Sequence, residues 1–254
     1  MRLRILGCSG GIGVGLRTTS LLLDDDTLID AGTGLGDLHL DEMAALRNIF
    51  ITHSHLDHLA GLPLLLDSVF ERISTPITLY SQPETIVAIK KHLFNWTIWP
   101  DFTCLPSEDS GVLRLVEMSP GETLELGDRR IEMIPVNHSV PAVGYRIESQ
   151  GRSIAFSGDT TTNDTLWSAL NNHASLDVLI VEAAFLNRDL EVSRNAYHYT
   201  AEQLGADLRK LHHQPEIYIT HAKPGAEDKI FAECQAAVED RELQLLTHGQ
   251  LFHL

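Results

Sequence analysis

Four residues that can bind a metal ion occur within six consecutive positions, at His53, His55, Asp57 and His58. They directly follow the apolar run 48–52, which has the length and composition of a strand. A polar surface turn is the alternative, but it gives no reason to gather three imidazoles and a carboxylate so closely. Clustered histidine and aspartate indicate a metal site, and a donor set without thiolate favours catalytic zinc, with manganese or iron as other candidates.

Four further apolar runs end at residues with metal or proton-transfer chemistry. A single histidine after a strand is more often a structural residue. Ligands gather, however, at the carboxyl ends of strands in sheets covered by helices. The recurrence at five strand ends therefore predicts one crevice in which these side chains converge. The additional runs are 131–137, 154–158, 178–181 and 217–220. The residues that directly follow them are, in the same order, His138, Asp159, Glu182 and His221.

These residues resemble the metallo-β-lactamase fold hydrolases, whose signature His-x-His-x-Asp-His is present at 53–58 without substitution. The resemblance spans nearly the whole chain. Segments 138–146, 157–160, 182–185 and 220–221 are similar to the phosphodiesterase branch, which contains ribonuclease Z and the class II cyclic-nucleotide phosphodiesterases. The resemblance implies an α/β fold, a four-layer αββα sandwich of two mixed sheets with outer helices, in a single domain over residues 1–254.

The resemblance also implies two divalent metal ions, with zinc as the leading candidate. Such a pair provides a metal-bound hydroxide near neutral pH and neutralises charge on the attacking and leaving oxygens. Asp57 is further expected to orient that hydroxide. In the implied ligand set, one metal is held by His53, His55 and His138, the second by Asp57, His58 and His221, and Asp159 bridges the two.

A proton for the leaving oxygen must come from elsewhere, and the candidate donor is His198. In the phosphodiesterase branch a glutamate, here Glu182, supports a histidine of this later segment. A carboxylate beside an imidazole raises its pKa and fixes its tautomer, as a general acid requires. The alternative is a structural role at a helix start, because Thr200 and Gln203 match a capping box. Both roles can hold at once.

Two other segments are expected to support the site. The glycine-rich run 7–15 lacks the glycine spacing of a dinucleotide fingerprint or a P-loop. We therefore expect a flexible loop at the rim, with phosphate contact through backbone N–H groups as a second reading. Asp30 ends another apolar run, and we expect it to orient a ligating histidine by a hydrogen bond rather than only to form a turn.

Net charge separates the two nearest enzyme hypotheses. The chain has 19 basic and 35 acidic residues and a formal charge of −16, whereas a tRNA-binding protein needs clustered Lys and Arg to neutralise phosphates. In addition, only 20 residues separate His138 from Asp159. That is too few for the basic arm that ribonuclease Z enzymes insert there. The sequence therefore favours a small phosphodiester as the partner and disfavours tRNA.

We expect a phosphodiesterase acting on a small phosphodiester, with 3′,5′-cyclic AMP or GMP as the leading candidates. The run 218–225 resembles the terminal His-x-Lys-Pro of class II-like enzymes and suggests that Lys223 lies near the phosphate, with Ser139 as a further contact. Lys223 is equally readable as an exposed residue before a helix. The alternatives are a ribonuclease Z-like nuclease without its arm, a lactone, thioester or sulfate-ester hydrolase on the same metals, and a metal-bound binding protein without turnover.

The segment 94–102 gathers two of the three Trp and two of the eight Phe residues. Trp96 and Trp99 are candidates to stack on a purine base, an interaction worth about 1–3 kcal/mol. They are also candidates to seal a homodimer, which we expect this chain to form, since Trp and Phe are enriched at interfaces. A local hydrophobic cluster is the third reading.

The remaining features fit one enzyme domain. A chain of 254 residues can bury about three quarters of its unfolded surface, and two βα-rich halves meet near 120–130. Cys8, Cys104 and Cys234 have no ligand-like spacing, which indicates free thiols and a reducing compartment. We expect a cytoplasmic protein, because neither a signal peptide nor a run of membrane-spanning length is present. Helices are predicted over 59–73, 84–93, 165–172, 201–212 and 226–240.

Overall fold

A computed structural model describes residues 1–254, and in it the chain forms two compact units. The main boundary lies between Ser119 and Pro120, where the sequence predicts the meeting of two halves. Each unit has its own sheet and its own apolar core, so a single domain over 1–254 stays a prediction. The first unit comprises Met1–Gly7, Arg17–Ser119 and His248–His253, and the second comprises Cys8–Leu16, Pro120–Thr247 and Leu254.

The first unit contains one seven-stranded mixed sheet. Its strands are β1 (Arg2–Gly7), β2 (Ser20–Leu23), β3 (Thr27–Ile29), β4 (Asn48–Phe50), β5 (Ile77–Ser81), β6 (Leu113–Glu117) and β14 (Leu251–His253). Its helices are α1 (Leu40–Ala45), α2 (Leu56–Leu59), α3 (Leu62–Ser68) and α4 (Pro83–His92), with 3₁₀ turns at Thr33–Asp37 and Phe70–Arg72. The order is β14-β1-β2-β3-β4-β5-β6, with antiparallel pairing up to β3 and parallel pairing beyond it.

The second unit contains the other seven-stranded mixed sheet. Its strands are β7 (Thr123–Leu126), β8 (Arg129–Val136), β9 (Ala142–Ser149), β10 (Arg152–Phe156), β11 (Val178–Glu182), β12 (Glu216–Thr220) and β13 (Leu243–Leu245). Its helices are α5 (Thr165–Asn171), α6 (Leu190–Ala196), α7 (Ala201–Leu208) and α8 (Glu227–Ala237), with a 3₁₀ turn at Asn187–Asp189. The order is β13-β12-β11-β10-β9-β8-β7.

Strand direction in the second sheet brings four strand ends to one edge. Strands β10, β11 and β12 pair in parallel, and β9 is antiparallel to both β8 and β10, so β8 runs in the same direction as those three. Strand β11 is buried at every position, which explains its continuous apolar run. The residues that follow β8, β10, β11 and β12 therefore meet at the same edge, where ligand sites of such sheets form.

The predicted helices are present, but several are shorter than expected. The predicted helix 59–73 was wrong as one element: it consists of the last residue of α2, then α3 and the 3₁₀ turn Phe70–Arg72. Pro63 near the start of α3 explains the break, because it has no N–H to continue a helix from Leu59. The predicted helices 201–212 and 226–240 also end earlier, at Leu208 and Ala237.

The fold class is confirmed as an α/β protein with two mixed sheets and helices, as in the metallo-β-lactamase fold. All three cysteines are free thiols, as the sequence predicts. No helix combines the length and the apolar composition that crossing a bilayer requires.

Candidate metal centre

The first unit carries the motif 53–58 after β4, next to Asp30, which directly follows β3. His53 and His58 are fully buried, and their ring centroids lie 4.3 Å apart. The ring centroid of His55 lies 4.7 Å from that of His53. The carboxylate of Asp57 is 3.8 Å from Nε2 of His58. The four predicted ligands of this unit are therefore grouped at the end of one strand.

A buried carboxylate supports this group. Asp30 accepts hydrogen bonds from the Thr52 backbone N–H at 2.8 Å, the Thr52 hydroxyl at 2.9 Å and His58 Nδ1 at 2.7 Å. Burial raises the pKa of Asp30, and the His58 and Thr52 donors offset only part of that effect. The predicted hydrogen bond between Asp30 and a histidine of the motif is present, with His58 Nδ1 as the donor. Sequence reasoning missed Thr52, whose hydroxyl also lies 2.9 Å from His53 Nδ1.

The second unit brings four of its predicted residues together. His138, Asp159 and His198 each offer a ligand atom, and these atoms lie within 4.8 Å of one another. His221 Nε2 lies 3.2 Å from the Asp159 carboxylate. The rings of His198 and His221 stack with centroids 5.3 Å apart, and His138 meets His198 edge-on at 5.0 Å. All four residues are at least nine-tenths buried.

Two hydrogen bonds fix which ring nitrogen can bind a metal. Nδ1 of His138 lies 2.9 Å from the carbonyl oxygen of Tyr197, and Nδ1 of His58 lies 2.7 Å from the carboxylate of Asp30. Both partners can only accept, so Nδ1 carries the proton and the lone pair of the neutral ring is on Nε2. Such partners are typical of metal-ligating histidines. The donor chemistry of both units therefore fits a divalent metal.

His198 is held by the predicted glutamate. Its Nδ1 donates to Glu182 Oε1 at 2.7 Å, and Glu182 is fully buried. Burial alone lowers the pKa of His198, but the Glu182 carboxylate and then Asp159 raise it above its ordinary value. Thr160 also donates its backbone N–H to the same Glu182 oxygen at 2.8 Å. The arrangement keeps a proton on the imidazole and fixes the ring orientation.

The glycine-rich loop is tied to the segment that carries His221. His221 has a left-handed φ of +63° and donates its backbone N–H to Cys8 O at 2.8 Å. Gly10 donates to Ala222 O at 3.0 Å, and a Cβ on Gly10 would lie only 2.4 Å from the carbonyl oxygen of His221. Lys223 donates from Nζ to Gly10 O at 3.1 Å. The loop requires glycine here because backbone lies against backbone.

The other predicted substrate residues lie in different surroundings. Ser139 is exposed beside His138. Trp96 is 64% exposed, whereas Trp99 is half-buried and packs against the core of the first unit, which also contains Phe94 and Phe102. The aromatic segment is therefore part core and part surface, and Trp96 is the more exposed of its two tryptophans.

Comparison with known proteins agrees with this geometry. Residues 26–222 match the family described as "Beta-lactamase superfamily domain". A relative in Yersinia pestis, named "Probable 3',5'-cyclic-nucleotide phosphodiesterase", is 29% identical and covers 86% of this chain and 77% of its own length. "Ribonuclease BN" of Escherichia coli strain K12 is 25% identical, and the match covers 96% of this chain and 97% of that relative. The crystal structure of unliganded yeast PDE1 superposes with a TM-score of 0.83 at 19% identity. The superposition covers 100% of this chain and 99% of the yeast chain.

The family match spans well over half of the chain and enters both compact units. The chain therefore belongs to the β-lactamase superfamily domain family and is a metallo-β-lactamase fold hydrolase.

Proposed function

We propose that the protein is a dinuclear metal-dependent phosphodiesterase that hydrolyses a small phosphodiester, with 3′,5′-cyclic AMP or GMP as the leading substrates. The observation that carries the proposal is the buried pair of His198 and Glu182 beside His138, Asp159 and His221. A protein that only binds metal has no use for a held proton donor. The name of the Yersinia pestis relative supports the same reaction class.

The proposed ligand set is the one that the resemblance to the family implies. The tautomers of His58 and His138 support it, since each directs Nε2 toward ligation. The short distance from His221 to Asp159 supports their sharing one metal. When bound, the metal pair polarises phosphoryl oxygens and neutralises charge on the attacking and leaving oxygens. We assign His53, His55 and His138 to one ion, Asp57, His58 and His221 to the other, and Asp159 to both.

The protein's own side chains then complete the reaction. We assign to the half-buried Asp57 the orientation of the attacking water. The water oxygen forms the new P–O bond and gives up a proton to solvent, while the bond to the leaving oxygen breaks. The electron pair of the broken bond passes to the leaving oxygen, which takes the Nε2 proton of His198. Glu182 keeps the ring oriented through Nδ1–H and stabilises the imidazolium before transfer. General acid catalysis of this kind contributes about 10²- to 10⁴-fold.

Substrate contacts are proposed for Ser139, Lys223 and Trp96. The Lys223 ammonium lies 5.6 Å from the ring centroid of Phe185, whose own centroid is 5.8 Å from that of His198. This location supports a role near the phosphate in addition to its bond to Gly10. Exposed Trp96 remains the candidate for base stacking. The half-buried position of Trp99 in the core supports a structural role instead of stacking for that residue.

The deciding experiment is hydrolysis of a substrate panel by protein reconstituted with zinc or manganese. The panel contains cyclic AMP, cyclic GMP, 2′,3′-cyclic nucleotides and bis-(p-nitrophenyl) phosphate, with Asp159→Ala as the control. Metal-dependent 3′,5′-cyclic turnover that disappears in the control supports the proposal. Turnover of the nitrophenyl diester alone would support a metal-dependent hydrolase but would rule out cyclic nucleotides as the substrate. Absence of all turnover would contradict it.

The role of His198 has its own test. His198→Ala should reduce turnover of a substrate with a poor leaving group far more than turnover of a nitrophenyl ester, because nitrophenolate leaves without a proton. Equal losses on both substrates would rule out a general acid. His213→Ala is a matched control, since this histidine lies in the same unit and bonds to Leu170 O instead of to the site.

The second candidate is a ribonuclease acting without the tRNA-gripping arm, which the Ribonuclease BN relative favours. The formal charge of −16 opposes it. Adding a precursor tRNA and a short single-stranded RNA to the panel separates the two. Cleavage of RNA at rates above those for cyclic nucleotides would select the ribonuclease.

Three further assignments belong to the proposal. Zinc is the favoured metal because imidazole and carboxylate suit it. A homodimer is favoured by the exposed apolar side chains Trp96 and Ile98. The free thiols support a reducing compartment, the cytoplasm. The metal is tested by metal analysis of protein from its native host. The homodimer is tested by sedimentation analysis, and the compartment by cell fractionation.

A further inference from the structure

A buried carboxylate outside the proposed ligand set connects two loops of the site. Asp207 belongs to α7 and is 2% exposed. Its Oδ2 accepts hydrogen bonds from the Tyr199 hydroxyl at 2.7 Å, the Asn163 backbone N–H at 3.0 Å and the Trp167 indole N–H at 3.2 Å. Its Oδ1 lies 2.7 Å from the Lys210 ammonium. A buried carboxylate with this many partners is held firmly in place.

One of these partners is the neighbour of the proposed proton donor. Tyr199 is fully buried and directly follows His198. Burial raises the pKa of its phenol, so the hydroxyl stays protonated and donates to Asp207. The Tyr199 backbone N–H makes a long hydrogen bond of 3.4 Å to Glu182 Oε2. The phenol therefore anchors the residue that directly follows His198, two positions before α7 begins at Ala201.

The second partner lies on the loop that carries Asp159. Asn163 donates from its side-chain amide to Thr160 Oγ1 at 3.0 Å. Thr160 in turn donates its backbone N–H to Glu182 Oε1 at 2.8 Å, the oxygen that also accepts from His198. The hydrogen bonds thus form a closed ring that runs from Asp207 through Tyr199, Glu182, Thr160 and Asn163 back to Asp207.

We infer that Asp207 and Tyr199 are positioning residues, which hold the His198–Glu182 pair in the orientation required for proton transfer. The inference rests on the proposed role of His198 as proton donor. Neither residue touches the substrate, and both act through the pair. Orientation matters at this point because a displacement of about 1 Å in a catalytic group can cost on the order of 10²-fold in rate. The bond from Nδ1 to Glu182 fixes the ring only if Glu182 itself is fixed.

The test compares two variants that each remove one hydrogen bond to the same oxygen of Asp207. Tyr199→Phe removes the donor that leads to His198 and keeps the buried ring. Trp167→Phe removes the indole donor, which lies on α5 and has no bond to the pair. Asp207→Asn, which removes the charge and keeps the volume, completes the set. Thermal unfolding is measured for each variant, and the two Phe variants are expected to lose similar stability.

The first readout is independent of turnover. The Nδ1–H proton of His198 is buried and bonded to a carboxylate, so it should give a far-downfield NMR signal in zinc-loaded protein, assigned by its loss in His198→Gln. Tyr199→Phe and Asp207→Asn are expected to broaden or remove this signal. Trp167→Phe is expected to retain it. A merely structural role would treat the two Phe variants alike.

The second readout is the leaving-group dependence of kcat. Tyr199→Phe and Asp207→Asn should lower kcat for methyl phenyl phosphate on the order of tenfold, with little change for methyl p-nitrophenyl phosphate. Trp167→Phe should leave this ratio unchanged. An NMR signal and a ratio that stay as in wild type in Tyr199→Phe would overturn the inference while the proposed function stands. Loss of the signal in a protein whose wild type hydrolyses no phosphodiester would support the positioning and reject the proposed function.

Discussion

Replacing Asp30 with Asn isolates the contribution of the carboxylate behind His58. Asn keeps the side-chain volume and tolerates the left-handed φ of +58° at this position, so the backbone should stay in place. One carboxylate oxygen becomes an NH₂ group. If the remaining oxygen accepts from Thr52, the NH₂ group faces Nδ1–H of His58, and two donors oppose each other. The ring must then turn away or move its proton to Nε2, the atom proposed to bind metal.

Two magnitudes follow from this geometry. Loss of a partner that orients a metal-ligating histidine costs about 10- to 100-fold in metal affinity, or about 1.4 to 2.8 kcal/mol. Loss of one buried hydrogen bond to a charged group should lower the free energy of unfolding of the metal-free protein by about 1.5–3 kcal/mol. Metal binding should therefore weaken even at temperatures where the variant is fully folded.

Zinc affinity is measured by competition with a chromophoric chelator, and folding is followed by circular dichroism. Asp41→Asn is the matched control, because Asp41 is an aspartate of the same unit whose side chain is 96% exposed and which bonds only to Arg72 at the surface. We expect this control to bind zinc as wild type does. An Asp30→Asn protein that is folded and retains wild-type zinc affinity would refute the argument that Asp30 sets the tautomer of His58.

Two further perturbations test other parts of the structure. Burial raises the pKa of Asp101, but its bonds to Lys90 and neighbouring donors lower it more, and the net pKa lies below its ordinary value. Lys90→Met should therefore cost about 1 kcal/mol near pH 7. This difference in chemical unfolding should shrink as pH falls below about 3.9, the unfolded value; a difference independent of pH would contradict it. Gly10→Ala would place a Cβ 2.4 Å from the carbonyl oxygen of His221 and should destabilise the protein by about 1–3 kcal/mol with loss of bound zinc. Gly36→Ala, where a Cβ meets nothing within 4 Å, should be nearly neutral in the same melts and metal assays.

The sequence was most informative where side chains with rare chemistry follow apolar runs. His138, Asp159 and His221 each come after a strand, and strand direction explains why they meet. The sequence was less informative where a backbone atom makes the hydrogen bond. The carbonyl of Tyr197 that orients His138 leaves no signature in the residue type. Asp207 was missed because an aspartate in a predicted amphipathic helix normally faces water.

Element boundaries failed for local reasons. Apolar periodicity continues through 59–73, but Pro63 interrupts the hydrogen bonding that periodicity presumes. The aromatic run 94–102 was predicted as one feature, whereas in the structure part of it is buried and part of it is exposed. Trp96 adopts a left-handed φ of +62°, and its side chain points to solvent while Phe94 and Phe102 enter the core. A left-handed turn at a tryptophan is not expected from the sequence, because bulky residues rarely adopt a positive φ.

The two compact units are completed by opposite ends of the chain. Strand β14 pairs with β1 in the first unit, while residues 8–16 belong to the second unit, where Cys8 O accepts the backbone N–H of His221. During synthesis on the ribosome, the first sheet therefore cannot gain this strand until residues 251–253 have been translated. A gene cut at the Ser119–Pro120 boundary would yield two fragments, each missing a piece held by the other. Vectorial, unit-by-unit folding therefore cannot complete the first sheet before the second unit has been synthesised.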